Sequence, residues 1–370
     1  MILFLCFYKI KKKTLPLKDM RTAVVILNWN TKEYLRAFLP ALLHSCGSGA
    51  EVVVADSAST DGSMEMMAAE FPGVKTIPLD ANYGFTGGYN RALAQLDAEF
   101  FVLINSDILV EDAWLEPLVA WMDSHPECGI CGPKLHGLVK EGGEYRKTST
   151  FEYAGAAGGY LDRFGFPFCR GRVLGRVCED QGQYDDPADV LWVTGACLMI
   201  RSSLWKAMGG LDGRFFAHME EIDLCWRIQL AGYRVTVVPE SFVYHIGGGT
   251  LPNDSPDKLR FNYRNNLLML ENNLAKTFRA QGYSVEGALG KARRRILTRM
   301  LLDGVSALNY LMTKKWGSYK AVVKAHAEYW KLRRKPNPDE VASQQKEVTI
   351  HGWYPKWMVP RALAGRKIKF

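Results

Sequence analysis

Asp107 closes the run FFVLINSD, a carboxylate set directly behind six mostly apolar residues. An acid at the end of a buried strand is comfortable only beside a cation or a cluster of hydrogen-bond donors. A hard divalent cation such as Mg²⁺ or Mn²⁺ takes oxygen ligands and pairs naturally with a diphosphate, so this position reads as part of a nucleotide-diphosphate site. A second group of acids lies in FFAHMEEIDLCWR, Phe215 to Arg227, where Glu220, Glu221 and Asp223 fall within four positions. On a helix beginning there, Asp223 and Arg227 stand at i and i+4 and can pair. Glu220 and Glu221 have Leu224 and Cys225 four residues on, so no such partner accounts for them. They either rest on the positive end of the helix dipole or do chemistry.

The elements that must carry these groups follow from periodicity. TAVVIL, EVVVAD, VKTIPL and FFVLIN are short β-branched or aromatic runs, and the stretches between them, such as KEYLRAFLPALLHS, GSMEMMAAEF and GGYNRALAQL, have helical spacing. This alternation predicts a doubly wound α/β sheet, in which ligands bind beyond the carboxyl ends of the strands. Polar residues gather at those ends: Asn28 and Asn30 after the first strand, Asp56 after the second, Asn82 to Gly84 after the third, and Asn105, Ser106 and Asp107 after the fourth. Asn, Asp and Gly are common turn residues, but four such ends together favour one polar pocket. No Gly-x-Gly-x-x-Gly follows the first strand, which disfavours a dinucleotide site. From about His136 to Asp189 the chain reads as a long irregular excursion with a possible hairpin, and long loops are commonly functional. Regular structure is expected again at VLWVTGACLMIRSSLWKAMGG, in a strand at TVVP, and in a helical tail from about Asp257.

Taken in order, VVILNWNTKEYL, VVVADSASTDGS, NYGFTGGYNRAL and FVLINSDILVEDAWLEPL resemble the nucleotide-binding half of family 2 glycosyltransferases of the GT-A fold, in the rhamnosyltransferase-like branch. VTGACLMIRSSLWKAMGGLDGRFFAHMEEIDLCWRIQLAGYRV resembles the same family's acceptor-side signature, so the likeness spans residues 22–270. It implies an α/β fold with a GT-A-type doubly wound mixed sheet: a nucleotide-sugar-binding half over 20–134, an acceptor half over 135–270, and a C-terminal helical extension over 271–370. It also implies roles. Asp56, with Asn28, Asn30, Asn82, Gly84 and Ser106, would form the wall that recognises the nucleotide. Asp107 would fill the last position of the Asp-x-Asp metal motif, where Asn105 replaces the first Asp and offers a poorer ligand. His245, in YHIGGG, would complete the metal or diphosphate site. The family's Glu-Asp pair is Glu220-Glu221 here, with Glu221 at the place of the base and Glu220 as second candidate. One carboxylate to deprotonate the acceptor hydroxyl, and one Mn²⁺ or Mg²⁺ to stabilise the leaving diphosphate, suffice for a single inverting displacement.

The resemblance makes the expected donor a nucleotide-diphosphate sugar, dTDP-rhamnose or a UDP-sugar. The expected acceptor is a growing surface glycan, lipid-linked in many members. A nucleotidyltransferase would carry a Gly-rich, Lys- or Arg-bearing loop after its first strand, which NWNTKEY is not. A catalytically silent glycan-binding protein would leave the set of Asp107, Glu221 and His245 as coincidence. The Gly- and aromatic-rich stretch from Tyr145 to Tyr184, with Trp192 beyond it, is expected to shape the acceptor pocket.

The 370 residues are 48% hydrophobic, enough for a large core, and the net charge of +8 is concentrated in the last third, in KARRR, KK and KLRRK. Apolar residues at helical spacing between those runs suggest helices lying on an anionic membrane surface, with a peripheral place on the inner face of the cytoplasmic membrane. The basic residues lie outside the α/β part, which argues against nucleic acid. MILFLCFY followed by KIKKK is too short for a membrane span and has a signal peptide's charges on the wrong side, so residues 1–19 read as an extension or a misassigned start. The eight scattered cysteines fit reduced thiols in a cytoplasmic protein, and the lone CGIC lacks a second pair at zinc spacing.

Overall fold

A computed structural model describes residues 21–247 and 255–365. The amino-terminal extension, the end of the glycine run after Gly247, and the last five residues lie outside the described residues. Strand β1 (Thr22–Asn28) pairs in parallel with β2 (Ala50–Asp56) on one side and β4 (Phe100–Ile104) on the other, and β2 pairs in parallel with β3 (Lys75–Pro78). These are the four runs that the sequence marks as strands. Both faces of β1, β2 and β4 are buried, as parallel sheets require, while β3 at the edge buries only Ile77. Val25, Val53, Phe101 and Leu103 point into one core, while Val24, Ile26, Val52, Val54 and Val102 point into another. Helices α1 (Lys32–Cys46), α2 (Ser63–Glu70) and α4 (Leu115–Ser124) cover the second core. Helix α3 (Gly84–Leu93) covers the first, together with the later helices.

Beyond β4 the sheet turns mixed. A short β5 (Ile108–Val110) leads through α4 to β6 (Cys128–Glu141), which forms a long antiparallel hairpin with β7 (Glu144–Phe151). The hairpin expected in the excursion is thus present, and short strands continue beyond it. Its outer part escapes a hydrophobic pattern because β7 is mostly solvated, and Gly142 and Gly143 make its turn at positive φ. The chain then forms β8 (Gly159–Asp162), β9 (Pro167–Cys169), β10 (Arg172–Val173) and β11 (Arg176–Val177) of a second, smaller sheet. It returns through β12 (Ala188–Asp189), β13 (Cys197–Arg201), α5 (Ser202–Ala207), α6 (Glu220–Leu230) and β14 (Arg234–His245). The main sheet runs β12-β14-β6-β13-β4-β1-β2-β3, with β13 antiparallel to both neighbours. Cys128 and Cys131 of the CGIC motif are both buried in β6.

Three long helices close the molecule. Helix α7 (Pro256–Ala280) starts at Ser255, whose side chain caps the Lys258 N–H, and α8 (Val285–Met312) and α9 (Trp316–Leu332) pack against it as an antiparallel pair. Helix α7 runs straight through residue 270, and its buried Leu267, Leu268, Leu270 and Leu274 belong to the first core. After α10 (Pro338–Ala342) the chain adds β15 (Trp353–Tyr354) in parallel to β8, then α11 (Met358–Leu363), so the carboxyl-terminal region is not helical throughout.

That last strand is admitted by Gly352, at φ +72°, where an added Cβ would lie 2.1 Å from the backbone nitrogen of Leu191. Backbone cannot yield as a side chain can. Gly352→Ala is therefore expected to lower the unfolding free energy by about 1–3 kcal/mol, measured by urea denaturation.

Candidate functional site

Parallel register puts the sequence-marked residues at one edge. Asn28 stands opposite Asp56, and Ile26 opposite Ile104, so the ends of β2, β1 and β4 are level. Asn28 Nδ2 donates to Asp56 Oδ1 at 2.6 Å and to Ser59 Oγ at 3.0 Å, and the Ser59 N–H donates to Asp56 Oδ2 at 2.9 Å. Asn30, in the left-handed region at φ 53°, closes the same cluster by accepting the Thr60 N–H at 2.7 Å. Asp56 is thus held rigidly by neighbours. Asn82 accepts the Gly84 N–H at 2.9 Å, and Gly84 faces Phe216 so closely that a Cβ would lie 2.5 Å from the Phe216 carbonyl oxygen. This joins the β3–α3 turn to the loop before α6.

Asp107 and His245, named from separate motifs, meet: Nε2 of the imidazole lies 3.2 Å from Oδ1 of the carboxylate, and both side chains are buried. His245 is the last residue of β14, which continues past Pro239 through an irregularity between Val237 and Phe242 and pairs His245 with Ile108. It is therefore fixed by a strand. Glu152, just past β7, stands on the other side of the ring with Oε1 3.4 Å from Nδ1. Burial works to lower the imidazole, but the two carboxylates outweigh it and push the group up to about 10. Burial likewise works to raise Asp107, and the charge of His245 outweighs that and holds it below the ordinary carboxylate range. The Asn105 side chain also hydrogen-bonds Asp107, which gives this amide a supporting role at the place of the missing acid.

Among the described residues no three His, Cys, Asp or Glu side chains cluster as a metal site. Two donors are nonetheless suited to a divalent cation. Asp107 Oδ1 and His245 Nε2 are as far apart as two ligands of one ion stand, and Glu152 behind Nδ1 is the carboxylate that commonly orients a ligating imidazole. Lys258, in the first turn of α7, feels Asp107 and Glu152, although burial dominates and lowers its ammonium.

Helix α6 begins beside this edge. The Asn105 N–H donates to Ala196 O at 2.9 Å, and a Cβ on the preceding Gly195 would touch the Cβ of Glu221 at 3.4 Å. Glu220 is 4% exposed with Oε2 unpartnered, whereas Glu221 is partly exposed. Burial raises both carboxyls above the ordinary range. Glu221 is opposed by N–H groups of its own residue, Ile222 and Gly195, and the neighbouring Glu221 charge pushes Glu220 further up. Asp223 has the structural explanation expected of it: Arg227 Nε donates to it at 2.8 Å, and Asn272 and Asn273 complete its shell.

The helix start is delivered by a strained loop. Phe216, His218 and Met219 all have positive φ, at 65°, 72° and 73°, which costs non-glycine residues on the order of 1–3 kcal/mol each. One amide offsets much of this: Asn265 Nδ2 donates to the carbonyls of Phe215, Ala217 and His218 at 2.7–2.9 Å, and Arg264 adds a bond to Phe215 O at 2.6 Å. Trp192, expected near the acceptor, is instead core, because its indole fills the space that Gly159 leaves empty. A cavity of about 530 Å³ between α7 and the 209–213 turn contains none of the expected site residues, and its Asp212 and Glu271 are bound by Arg214.

Glu152, Lys258 and the Arg264–Asn265 pair were not singled out from sequence. Lys258 carried a signal, since a cation in the first turn opposes the helix dipole.

A parallel-to-mixed α/β sheet with paired carboxylates and a histidine at its carboxyl edge is the GT-A fold of glycosyltransferases. Among solved structures, that of GalNAc-T7 with UDP, GalNAc and Mn²⁺ matches with a TM-score of 0.54 at 17% identity, covering 69% of this chain and 48% of the other. Residues 23–182 match the model of Glycosyl transferase family 2. The chain's curated relatives include two rhamnosyltransferases. N-acetylglucosaminyl-diphospho-decaprenol L-rhamnosyltransferase of Mycobacterium tuberculosis is 25% identical over 268 residues, 70% of this chain and 86% of that protein. Rhamnosyltransferase WbbL of Escherichia coli K12 is 24% identical over 172 residues, 44% of this chain and 61% of the relative. Glycosyl transfer in glycan biosynthesis is the activity these likenesses support.

Glu220 supplies a test of the site's electrostatics. A carboxyl whose folded pKa is raised contributes stability at low pH that is lost as pH climbs from the unfolded value, about 4.3, through the folded one. Glu220→Gln removes that loss. The variant is expected to gain stability over the parent as pH rises above about 4.3, read from melting temperatures across a pH series.

Proposed function

We propose that this chain transfers a sugar from a nucleotide diphosphate to a hydroxyl of a growing, lipid-linked glycan, with inversion at the anomeric carbon. The observation that carries the reading is the buried Asp107–His245 pair, with the partly exposed Glu221 packed on Gly195, whose neighbour Ala196 bonds the Asn105 N–H at the same sheet edge. Its acids and imidazole suit a reaction in which an acceptor hydroxyl gives up its proton as it bonds to one face of the anomeric carbon and the diphosphate leaves from the other.

Each group then has a task. The rigid Asn28–Asp56–Ser59 cluster and the Asn82–Gly84 turn receive the nucleoside, and Asn30 and Ser106 extend the same wall. Asp107 and His245 would hold a divalent cation, Mn²⁺ or Mg²⁺, which when bound neutralises charge on the leaving diphosphate. Glu152 orients the imidazole from behind, and Lys258 adds positive charge next to that pair. Glu221 accepts the proton of the attacking hydroxyl, for which a pKa shifted toward neutrality is suited. Glu220 is too enclosed to reach an acceptor, and its carboxyl feels the charge of Glu221. The rhamnosyltransferase relatives favour dTDP-rhamnose as donor, with UDP-sugars as the alternative. The decaprenol-linked substrate in the Mycobacterium tuberculosis relative's name favours a lipid-linked acceptor.

Calorimetric titration with UDP, dTDP and GDP, with and without Mn²⁺, is expected to show one diphosphate binding in a metal-dependent manner, and Asp107→Ala to abolish that dependence. Absence of binding by every diphosphate would overturn the donor site. Glu221→Gln is expected to retain that binding while kcat falls about 10²–10⁴-fold. Because the base acts deprotonated and its pKa is raised, kcat/KM of the parent should fall with decreasing pH at a point well above the roughly 4.3 of an ordinary glutamate. An acid limb at that ordinary value would remove Glu221 from the role.

A further inference from the structure

The helix pair α8–α9 has two faces, and only one of them is used by the fold. Ala288, Ala292, Arg299, Asp303 and Ala307 of α8 are buried, and Ile296 and Met300 pack against the first core. Arg299 is spent internally, its Nε bonded to Asp303 Oδ1 at 2.7 Å. On the other side Leu297, Leu301, Val305, Leu308 and Met312 recur at intervals of three and four, which places them in one stripe along the helix. Leu301 is 73% exposed, Val305 66% and Met312 68%. Single exposed leucines mean little, but a continuous stripe of five over four turns is the kind of patch that marks an interaction surface. Helix α9 repeats the design: Val322 and Ala325 are buried, while Trp316, Val323 and Trp330 are exposed.

The charges around the stripe decide its partner. Between Val285 and Leu332 stand ten Lys or Arg and three acids. Asp303 is buried with Arg299, and Glu328 is bound by Arg260 and Arg264 of α7. The remaining acid, Glu286, lies in the first turn of α8, away from the stripe. Cations frame the apolar residues instead. Arg293 and Arg294 are exposed at one end, Lys314 and Lys315 at the other, and Lys320, Lys324 and Lys331 run along α9. Aromatic rings at Trp316 and Trp330 sit where such side chains anchor at the boundary of water and lipid. A second copy of this chain would bring the same cations against themselves, and a water-facing role would not need the apolar stripe. We propose that the outer face of α8 and α9 is a docking surface for an anionic lipid bilayer, with both helices lying in the interfacial plane. This deepens the reading of a lipid-linked acceptor, but the binding itself does not rest on any catalytic assignment.

The test is co-sedimentation of the full chain with vesicles of phosphatidylcholine alone or mixed with phosphatidylglycerol. Binding to the mixed vesicles is expected, weakening as salt is raised, with little binding to the neutral ones. Leu301→Glu with Met312→Glu should reduce partitioning at least tenfold. Lys314→Ser with Lys315→Ser should reduce it about twenty-five-fold, from roughly fivefold per cation. Both pairs are exposed, so circular dichroism and nucleotide-diphosphate binding should be unchanged, which separates a failure here from a failure of the donor site. The inference is overturned if the parent stays in solution with anionic vesicles at low salt, or if the leucine and methionine variant binds as the parent does. It is equally overturned if light scattering shows a dimer that this variant dissolves, since the stripe then belongs to a second copy.

Discussion

An imidazole enclosed between two carboxylates is the contact around which this molecule is arranged. Asp107, Glu152 and His245 come from places nearly 140 residues apart in the chain, and each is buried. None of the three could leave water alone, because an unpaired charge in such a place is far costlier than the pair. The β4–β5 turn, the exit of the β6–β7 hairpin and the end of β14 must therefore arrive together. The sheet does this by pairing: His245 stands opposite Ile108, and the Glu152 N–H bonds the carbonyl of Leu135 in β6. The charge cluster and the mixed half of the sheet require one another.

The parallel half needed no such long-range condition, and it was legible in the sequence for that reason. TAVVILN, AEVVVAD and FFVLI are short, β-branched or aromatic, and bounded by turn residues, which is what strands buried on both faces look like. The acid at Asp107 was legible from the discomfort of a carboxylate behind such a strand. Asp223 was legible from its i, i+4 spacing to Arg227. The hairpin expected in the excursion after His136 is present as β6–β7, but the extent of its strands was hidden because β7 is solvated and alternates weakly. The length of β14 was hidden by Pro239, which a strand tolerates only at an irregularity such as the one found there.

What spacing cannot encode is contact between residues remote in the chain. Trp192 looked like a sugar platform because aromatic residues near a site invite that reading, but its place was decided by Gly159, 33 residues earlier. Glu152 became a partner of His245 only through strand pairing. The carboxyl-terminal cations divided in the same way: Arg299 serves the interior, while the flanks of the outer stripe keep theirs in solvent. Sequence shows the amphipathic period of α8 but not which of its two apolar sides the body of the protein will take.

The link from Asn265 to the loop before α6 bears on modularity. The residues that hold Phe216, His218 and Met219 in their unfavourable conformations lie on α7, and α7 is in turn clamped to α9 through Arg260, Arg264 and Glu328. Asn272 and Asn273, farther along α7, close the shell of Asp223, and Thr277 accepts the indole N–H of Trp226. Helices α7 and α9 are consequently a bracket for the start of α6 and its acids, not an appendage behind them. A fragment ending where the recognisable sheet ends would keep every strand and lose the scaffold of its own acids. In recombination between relatives, the 215–219 loop and α7 must be inherited together.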